Sequence, residues 1–316
     1  MQSRAKPHHF LPFLFLASAL LLLQSGCQLN PEPPELYALV YGISDYSTNP
    51  LTYTDDDARS IAQKLNEKGY TVHLRLNNGV GSYPYAASFE AATKTQLYTD
   101  FSLIVPQIDE DDILLIYFSG HGGQYSGTDP DEDQFADSSG EALLFYPGTA
   151  GSDLSDNDFY RLLSGSDIVK KVVIIDACNS GGFIGREYDF DALHPAYSDE
   201  DDQLDGIMSS SLDAFFSSGS ADIRPSNAIV LSAAGEREVS WETGSYGHGV
   251  FTYALLNAFE NADYNGDDFI DTGEVYKYAC DFIDTYWNNA VPDDEEFQFM
   301  PHISGGAVDY LLFEAD

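Results

Sequence analysis

Two side chains suited to nucleophilic catalysis stand in glycine-rich turns. His121 lies in Ser-Gly-His-Gly-Gly at 119–123, and Cys178 lies in Asp-Ala-Cys-Asn-Ser-Gly-Gly at 176–182. A thiol beside an imidazole can lose its proton and attack a carbonyl carbon, and the imidazole can pass that proton to the leaving amine. Each residue alone has a plainer interpretation, a small core residue for the cysteine and a turn residue for the histidine. Together they predict acyl-transfer chemistry.

The elements before these turns would bring the two residues together. Continuous apolar runs at 113–118 and 172–175 precede them, as is typical of central parallel strands covered on both faces. Open α/β sheets place their sites at the carboxyl ends of such strands. If the two strands are neighbours, His121 and Cys178 meet at one edge of the sheet.

The rest of the chain alternates between strand and helix patterns. Strands are predicted at 36–43, 71–76, 229–233 and 308–313, and helices at 55–68, 93–105 and 250–260. This order predicts an α/β fold, a doubly wound and mostly parallel sheet with helices on both faces. The acidic, serine-rich stretch 185–227 is too long for an ordinary connection and is interpreted as a linker between a large part, 36–184, and a small part, 228–316. Residues 124–140 are predicted to form a second acidic loop.

The two motifs, taken as Tyr-Phe-Ser-Gly-His-Gly at 117–122 and Asp-Ala-Cys-Asn-Ser-Gly-Gly at 176–182, resemble the catalytic motifs of caspase-like cysteine peptidases, especially the metacaspase branch. Segments 37–43, 56–58 and 247–256 also match, so the resemblance covers residues 36–313. It implies a caspase-like fold with His121 as general base and acid and Cys178 as nucleophile. The N–H groups of Gly122 and Cys178 would form the oxyanion hole. Asn179 stands where many relatives carry histidine.

The same resemblance implies a substrate preference. Metacaspase-like members receive Arg or Lys in an acid-lined pocket, and the matching positions are Asp57, Ser119 and Asp176. A guanidinium can bond a carboxylate through two parallel hydrogen bonds, which makes such a pocket selective. The implied activity is endopeptidase cleavage after Arg or Lys. The family's Gly-Cys pair before the first helix is Tyr53-Thr54 in this chain.

A calcium-type loop is predicted at residues 263–274. Its oxygen-bearing positions follow the twelve-residue EF-hand pattern. The ligands would be the side chains of Asp263, Asn265, Asp267, Asp271 and Glu274 and the carbonyl of Phe269. The sixth position, usually glycine, is Asp268. The loop predicts Ca²⁺ binding, and the alternative is an acidic turn in an acidic protein. The resemblance implies calcium-dependent activity, with a separate acidic site as the other place where Ca²⁺ could bind.

The N-terminus is interpreted as an export signal, residues 1–26. A basic start is followed by an almost unbroken apolar run of 14 residues at 10–23, too short to span a bilayer, which takes about 20. The end of this segment resembles a lipoprotein cleavage box, so Cys27 is expected to be lipidated and residues 27–35 to form a tether. Plain secretion is the alternative. We expect an exported cell-envelope protein that contacts a membrane only through its lipid.

Charge limits the partners. The chain has 52 Asp and Glu against 14 Lys and Arg, a net charge of −38, so a basic nucleic-acid-binding face is excluded. Polypeptides carrying Arg or Lys suit this surface. If the enzyme matures by cutting itself, the cuts are expected at Arg186 or Arg224. The alternative function is a catalytically silent, calcium-binding module that holds cationic partners on the cell envelope. Cys280 is expected to be buried on the last helix. His248 is expected to serve a turn, with contact to substrate as the alternative.

Overall fold

The computed structural model describes residues 33–77, 79, 90–126, 139–178, 180, 228–235, 238–291, 298–304 and 310–315. Its helices and strands belong to the unit Glu35–Asp316, and Met1–Pro34 is a separate unit. In chain order the elements are β1 (Leu36–Gly42), α1 (Thr54–Glu67), β2 (Thr71–Leu76), α2 (Lys94–Ile104), β3 (Ile113–Ser119), β4 (Gly122–Ser126), β5 (Ser139–Leu144), β6 (Asp153–Ser155), α3 (Asp156–Ser164), β7 (Lys170–Asp176), β8 (Ala228–Ser232), β9 (Glu242–Thr243), β10 (His248–Gly249), α4 (Val250–Asn261), β11 (Phe269–Asp271), α5 (Thr272–Ile283), β12 (His302–Ser304) and β13 (Leu311–Glu314).

The central sheet has six strands in the order β12-β8-β7-β3-β1-β2. All neighbours are parallel except β12, which runs antiparallel to β8. The strand order reverses beside β1, since β2 lies on one side of it and β3 on the other. Such a switch point opens a crevice at the carboxyl ends of the strands. The predicted doubly wound, mostly parallel sheet is therefore confirmed.

Helices cover both faces of this sheet. One hydrophobic cluster joins α1, α4 and α5 to one face, and another joins α2 and α3 to the opposite face. Strand β3 is buried at every position and β7 at all but its first, because an apolar strand in the middle of a two-sided core meets side chains above and below. This packing holds the ends of β3 and β7 rigidly, which is what a site at those ends requires.

The structure has three smaller sheets besides the central one. Strands β4, β5 and β6 form an antiparallel sheet, β9 pairs with β10, and β11 pairs with β13. The prediction of a loop throughout 124–140 is wrong at both ends, because β4 continues to Ser126 and β5 begins at Ser139. Helix α3 and strand β12 were not predicted. Among the described residues, no helix is both long and apolar enough to cross a membrane.

Candidate active site

The two glycine-rich motifs meet at the carboxyl end of the sheet. Strands β3 and β7 are neighbours, and their last residues, Ser119 and Asp176, lie opposite each other. The N–H of Gly120 donates to the carbonyl of Asp176 at 3.2 Å. A Cβ atom placed on Gly122 would lie 2.1 Å from the carbonyl oxygen of Cys178. Only glycine fits at that approach, which brings the histidine turn directly against the cysteine turn.

Backbone and aromatic contacts orient His121. Its Nε2 lies 2.6 Å from the carbonyl oxygen of Asn49, a residue in the left-handed conformation with φ 52°. A carbonyl can only accept, so Nε2 carries the proton of this bond. The neutral ring then has a free lone pair on Nδ1, as a general base needs.

Tyr46 supports the same histidine from its other side. Its hydroxyl accepts the backbone N–H of His121 at 3.0 Å and donates to the carbonyl of Leu144 at 2.7 Å. The two rings pack with centroids 4.5 Å apart. Tyr46 itself is buried, so packing in the core fixes its contacts with His121.

The Cys178 thiol is half-buried, and its surroundings favour the protonated form. Its Sγ lies 3.8 Å from the carbonyl oxygen of Ser240, the hydrogen-bond partner of this thiol within the described structure. Burial raises the pKa of Cys178, and the nearby charge of Asp176 acts in the same direction. The nucleophile therefore needs a base to become a thiolate when substrate arrives.

Two buried carboxylates lie behind the motifs. Asp57, near the start of α1, exposes 1% of its surface, and Asp176 exposes 5%. Asp57 accepts hydrogen bonds from the Ser119 hydroxyl at 3.0 Å and from the Gly249 N–H at 3.1 and 3.3 Å. Its Oδ1 also lies 2.9 Å from Nδ1 of His248. The structure thus brings together all three residues predicted for the acidic pocket.

Asp176 is held by donors from the small part of the chain. Its Oδ1 accepts the Ser240 hydroxyl at 2.6 Å, and its Oδ2 accepts the N–H and the hydroxyl of Thr252 at 3.1 and 2.6 Å. A Cβ on Gly249 would lie 2.5 Å from Asp176 Oδ2 and 3.1 Å from Asp57 Oδ2, so the bare backbone of Gly249 separates the two acids.

Burial dominates the ionisation of this pair. It raises the pKa of Asp57 to about 7, against the opposing hydrogen bond from His248, and the charge of Asp176 adds to the increase. Burial also raises the pKa of Asp176. A third acid, Glu242, raises the pKa of Asp176 further while accepting the N–H groups of Thr52 and Tyr53 at 2.9 to 3.0 Å. A cation entering this cluster would relieve a concentrated, partly desolvated negative charge.

The predicted calcium loop lies between α4 and α5. Asp268, at the sixth position, has φ 68°, the left-handed turn that glycine usually provides there. The Asp263 carboxylate accepts the N–H of Gly266 at 2.8 Å, and Glu274 accepts the N–H of Tyr264 at 3.0 Å while also forming a capping box with Asp271. Carboxylate and carbonyl oxygens are the ligands that Ca²⁺ prefers, but in this structure the carboxylates bond the loop's own backbone.

These carboxylates face backbone N–H groups. Within the described ranges, no three His, Cys, Asp or Glu side chains converge closely enough to hold a metal ion. A bound ion would therefore require the loop's acids to turn toward it.

Comparison with known proteins identifies the family. The family model for the caspase domain matches residues 35–277. The chain belongs to the caspase-domain family. Membership supports a cysteine peptidase hydrolase in general. It also agrees with the observed order of the chain, with the histidine turn after β3 and the cysteine turn after β7.

Two solved structures are similar to this chain. Protein GSU0716 from Geobacter sulfurreducens superposes with a TM-score of 0.56 at 17% identity, covering 90% of this chain and 100% of that one. Caspase-1 from Spodoptera frugiperda gives a TM-score of 0.49 at 12% identity, covering 90% and 92%. A comparison with curated proteins found no match.

Several groups in this caspase-domain site were not predicted. The Asn49 carbonyl is a backbone atom and leaves no side-chain pattern. Tyr46 and Ser240 act through contacts that join distant parts of the chain. His248, expected to serve a turn rather than to contact substrate, follows the turn 244–247 and contacts Asp57. The presence of Gly-His-Gly beside an aromatic helix start was the signal that could have drawn attention to it.

Other predictions are confirmed or lie outside the description. Cys280 is buried on α5, as expected. Cys27, Asn179, Arg186 and Arg224 lie outside the described residues, as do the signal segment and the linker 185–227.

Proposed function

We propose that this caspase-domain protein is a cysteine-type endopeptidase that cleaves after Arg or Lys, with Cys178 as nucleophile and His121 as base. The observation that carries the proposal is the packing of Gly122 on the Cys178 backbone beside the buried acids Asp57 and Asp176. Nucleophile, base and cation pocket then share one crevice.

The catalytic steps follow from these residues. Nδ1 of His121 takes the proton of the Cys178 thiol, and the sulfur attacks the scissile carbonyl carbon. The N–H groups of Gly122 and Cys178 would stabilise the developing oxyanion. His121 then protonates the leaving amine, and a water molecule, deprotonated by the same imidazole, hydrolyses the thioester and restores the thiol. Asn49 holds Nε2 throughout, so the ring keeps its orientation.

The acid cluster supplies the preference for basic residues. Two carboxylates, separated by the bare backbone of Gly249, are buried with few compensating charges. A guanidinium or ammonium group beside these carboxylates would gain electrostatic energy, whereas an Asp side chain would add a further negative charge.

Peptide hydrolysis tests the proposal. Fluorogenic peptides ending in Arg, Lys or Asp before the scissile bond should be cleaved in the first two cases. Cys178→Ala should abolish cleavage, and Cys280→Ala, which removes a cysteine outside the crevice, should retain it. Activity that survives Cys178→Ala would refute the assignment, and a preference for Asp would remove the proposed role of the acidic cluster.

We further propose that Ca²⁺ binds residues 263–274 and supports activity. Asp263, Asn265, Asp267, Asp271, Glu274 and the Phe269 carbonyl would hold the ion, whose charge would stabilise the acidic loop. Calcium should raise the unfolding temperature, and Glu274→Gln should remove that increase. Glu110→Gln, at an exposed acid elsewhere, serves as control. An equal increase in both variants would contradict this site.

Export and processing complete the proposal. The protein would be carried to the cell envelope and anchored by a lipid on Cys27, with polypeptides rather than nucleic acids as its substrates. Metabolic labelling with a fatty acid should mark the wild type and not Cys27→Ser. Incubation should yield fragments ending at Arg186 or Arg224, as measured by intact mass, and fragments cut only elsewhere would contradict self-cleavage at these residues.

A further inference from the structure

A histidine that the proposed chemistry does not use lies against the acidic cluster. His248 begins β10, and its Nδ1 is 2.9 Å from Oδ1 of Asp57. Only 18% of its side chain is exposed. The N–H of Gly249 donates to both oxygens of the same carboxylate. The hairpin β9–β10 therefore holds the imidazole in place on a buried acid.

The other titratable groups around this contact are acidic or phenolic. They come from each element packed there. They are Asp57 on α1, Tyr117 on β3, Asp176 on β7, Glu242 on β9 and Tyr253 on α4. Among the described residues with a contact to this cluster, His248 alone can carry a positive charge.

The ionised form of Asp57 depends on the hydrogen bond from His248. Burial raises the pKa of Asp57 to about 7, so this carboxylate is close to losing its charge at neutral pH. The His248 hydrogen bond is the largest effect that opposes burial. A protonated carboxyl group cannot form the two charge-assisted bonds that select a guanidinium. Recognition of a basic side chain at neutral pH thus depends on the imidazole.

We propose that His248 is a positioning residue that keeps the Asp57 carboxylate ionised to receive the basic side chain of the substrate. This inference rests on the Arg/Lys preference in the proposed function and adds the group that sustains it. Removing the imidazole should move the pH dependence of cation binding toward higher pH, because a carboxyl without that hydrogen bond holds its proton longer.

Binding without turnover tests this role. In a Cys178→Ala background, calorimetry would measure the binding of acetyl-arginine amide between pH 6 and pH 9, with the uncharged acetyl-citrulline amide as ligand control. His248→Ala should weaken arginine binding about fivefold at pH 7, because a tenfold rise in the proton affinity of a carboxyl group that is half-ionised there lowers its ionised fraction by about that factor. The difference should vanish near pH 9. His248→Asn, whose amide can donate from the position of Nδ1, should recover most of the affinity.

A matched histidine controls for general effects. His73 on β2 also lies near a buried acid, 3.9 Å from Asp100, and His73→Gln should bind like the parent. Equal weakening by His248→Ala at every pH, or a profile identical to that of the parent, would overturn the proposal. So would a parent that does not bind acetyl-arginine amide. Failure of the proposed function would appear separately, as absence of hydrolysis by the protein with Cys178 intact.

Discussion

Replacing Gly122 by alanine should disable the active site while leaving most of the fold intact. The new Cβ would lie 2.1 Å from the Cys178 carbonyl oxygen and 3.1 Å from the Cβ of Ala177. Neither neighbour is the mobile end of a long side chain, so the start of β4 must move away from the cysteine turn. Overpacking of this kind typically costs about 1–3 kcal/mol of stability.

The catalytic loss should be larger than the loss of stability. Displacing one oxyanion donor commonly costs about 2.7–4 kcal/mol in the transition state, a factor of about 100 to 1,000 in kcat. The measurement is kcat on an Arg peptide together with the unfolding temperature.

Gly123→Ala is the control, because a Cβ at that position meets nothing within 4 Å. If the Gly122 and Gly123 variants were equally active, the close approach of the two turns would not matter for catalysis, and the reasoning would be wrong.

Three further outcomes are expected. Tyr46→Phe should lower kcat about tenfold at unchanged KM, because the lost hydroxyl leaves buried polar groups unpaired at a cost of about 1–3 kcal/mol; an unchanged kcat in steady-state kinetics would contradict this. The free energy of unfolding should fall between about pH 5 and pH 7.5, because folded Asp57 keeps a proton that the unfolded chain releases. Urea titrations should show a shallower fall for Asp57→Asn, and equal slopes would refute the assignment. Iodoacetamide should modify Cys178 and spare Cys280, whose pKa burial raises to about 12; peptide mapping that finds Cys280 modified first would oppose this.

The positions of the two motifs could be predicted because their strands carry a strong signal. The runs at 113–118 and 172–175 are apolar on both faces, so they had to be central, and two central parallel strands end at the same edge. The flanking glycines then placed His121 and Cys178 in turns at that edge.

Other parts of the site could not be predicted. The strands of the sheet β4-β5-β6 are short and pair with one another. Their sequences do not carry the long apolar runs that identify the central strands. Ser240 and Thr252 are ordinary alcohols whose importance comes from reaching one carboxylate across 64 and 76 positions of sequence. Such contacts are set by the packing of the small part on the sheet, which no local pattern records.

The raised pKa of Cys178 also bears on how readily this thiol is oxidised. Peroxides and other oxidants attack thiolates far faster than thiols. A sulfur kept neutral by burial beside the Ser240 carbonyl would therefore react slowly with such oxidants. The same burial that leaves activation to His121 thus also protects the thiol from oxidation between catalytic cycles.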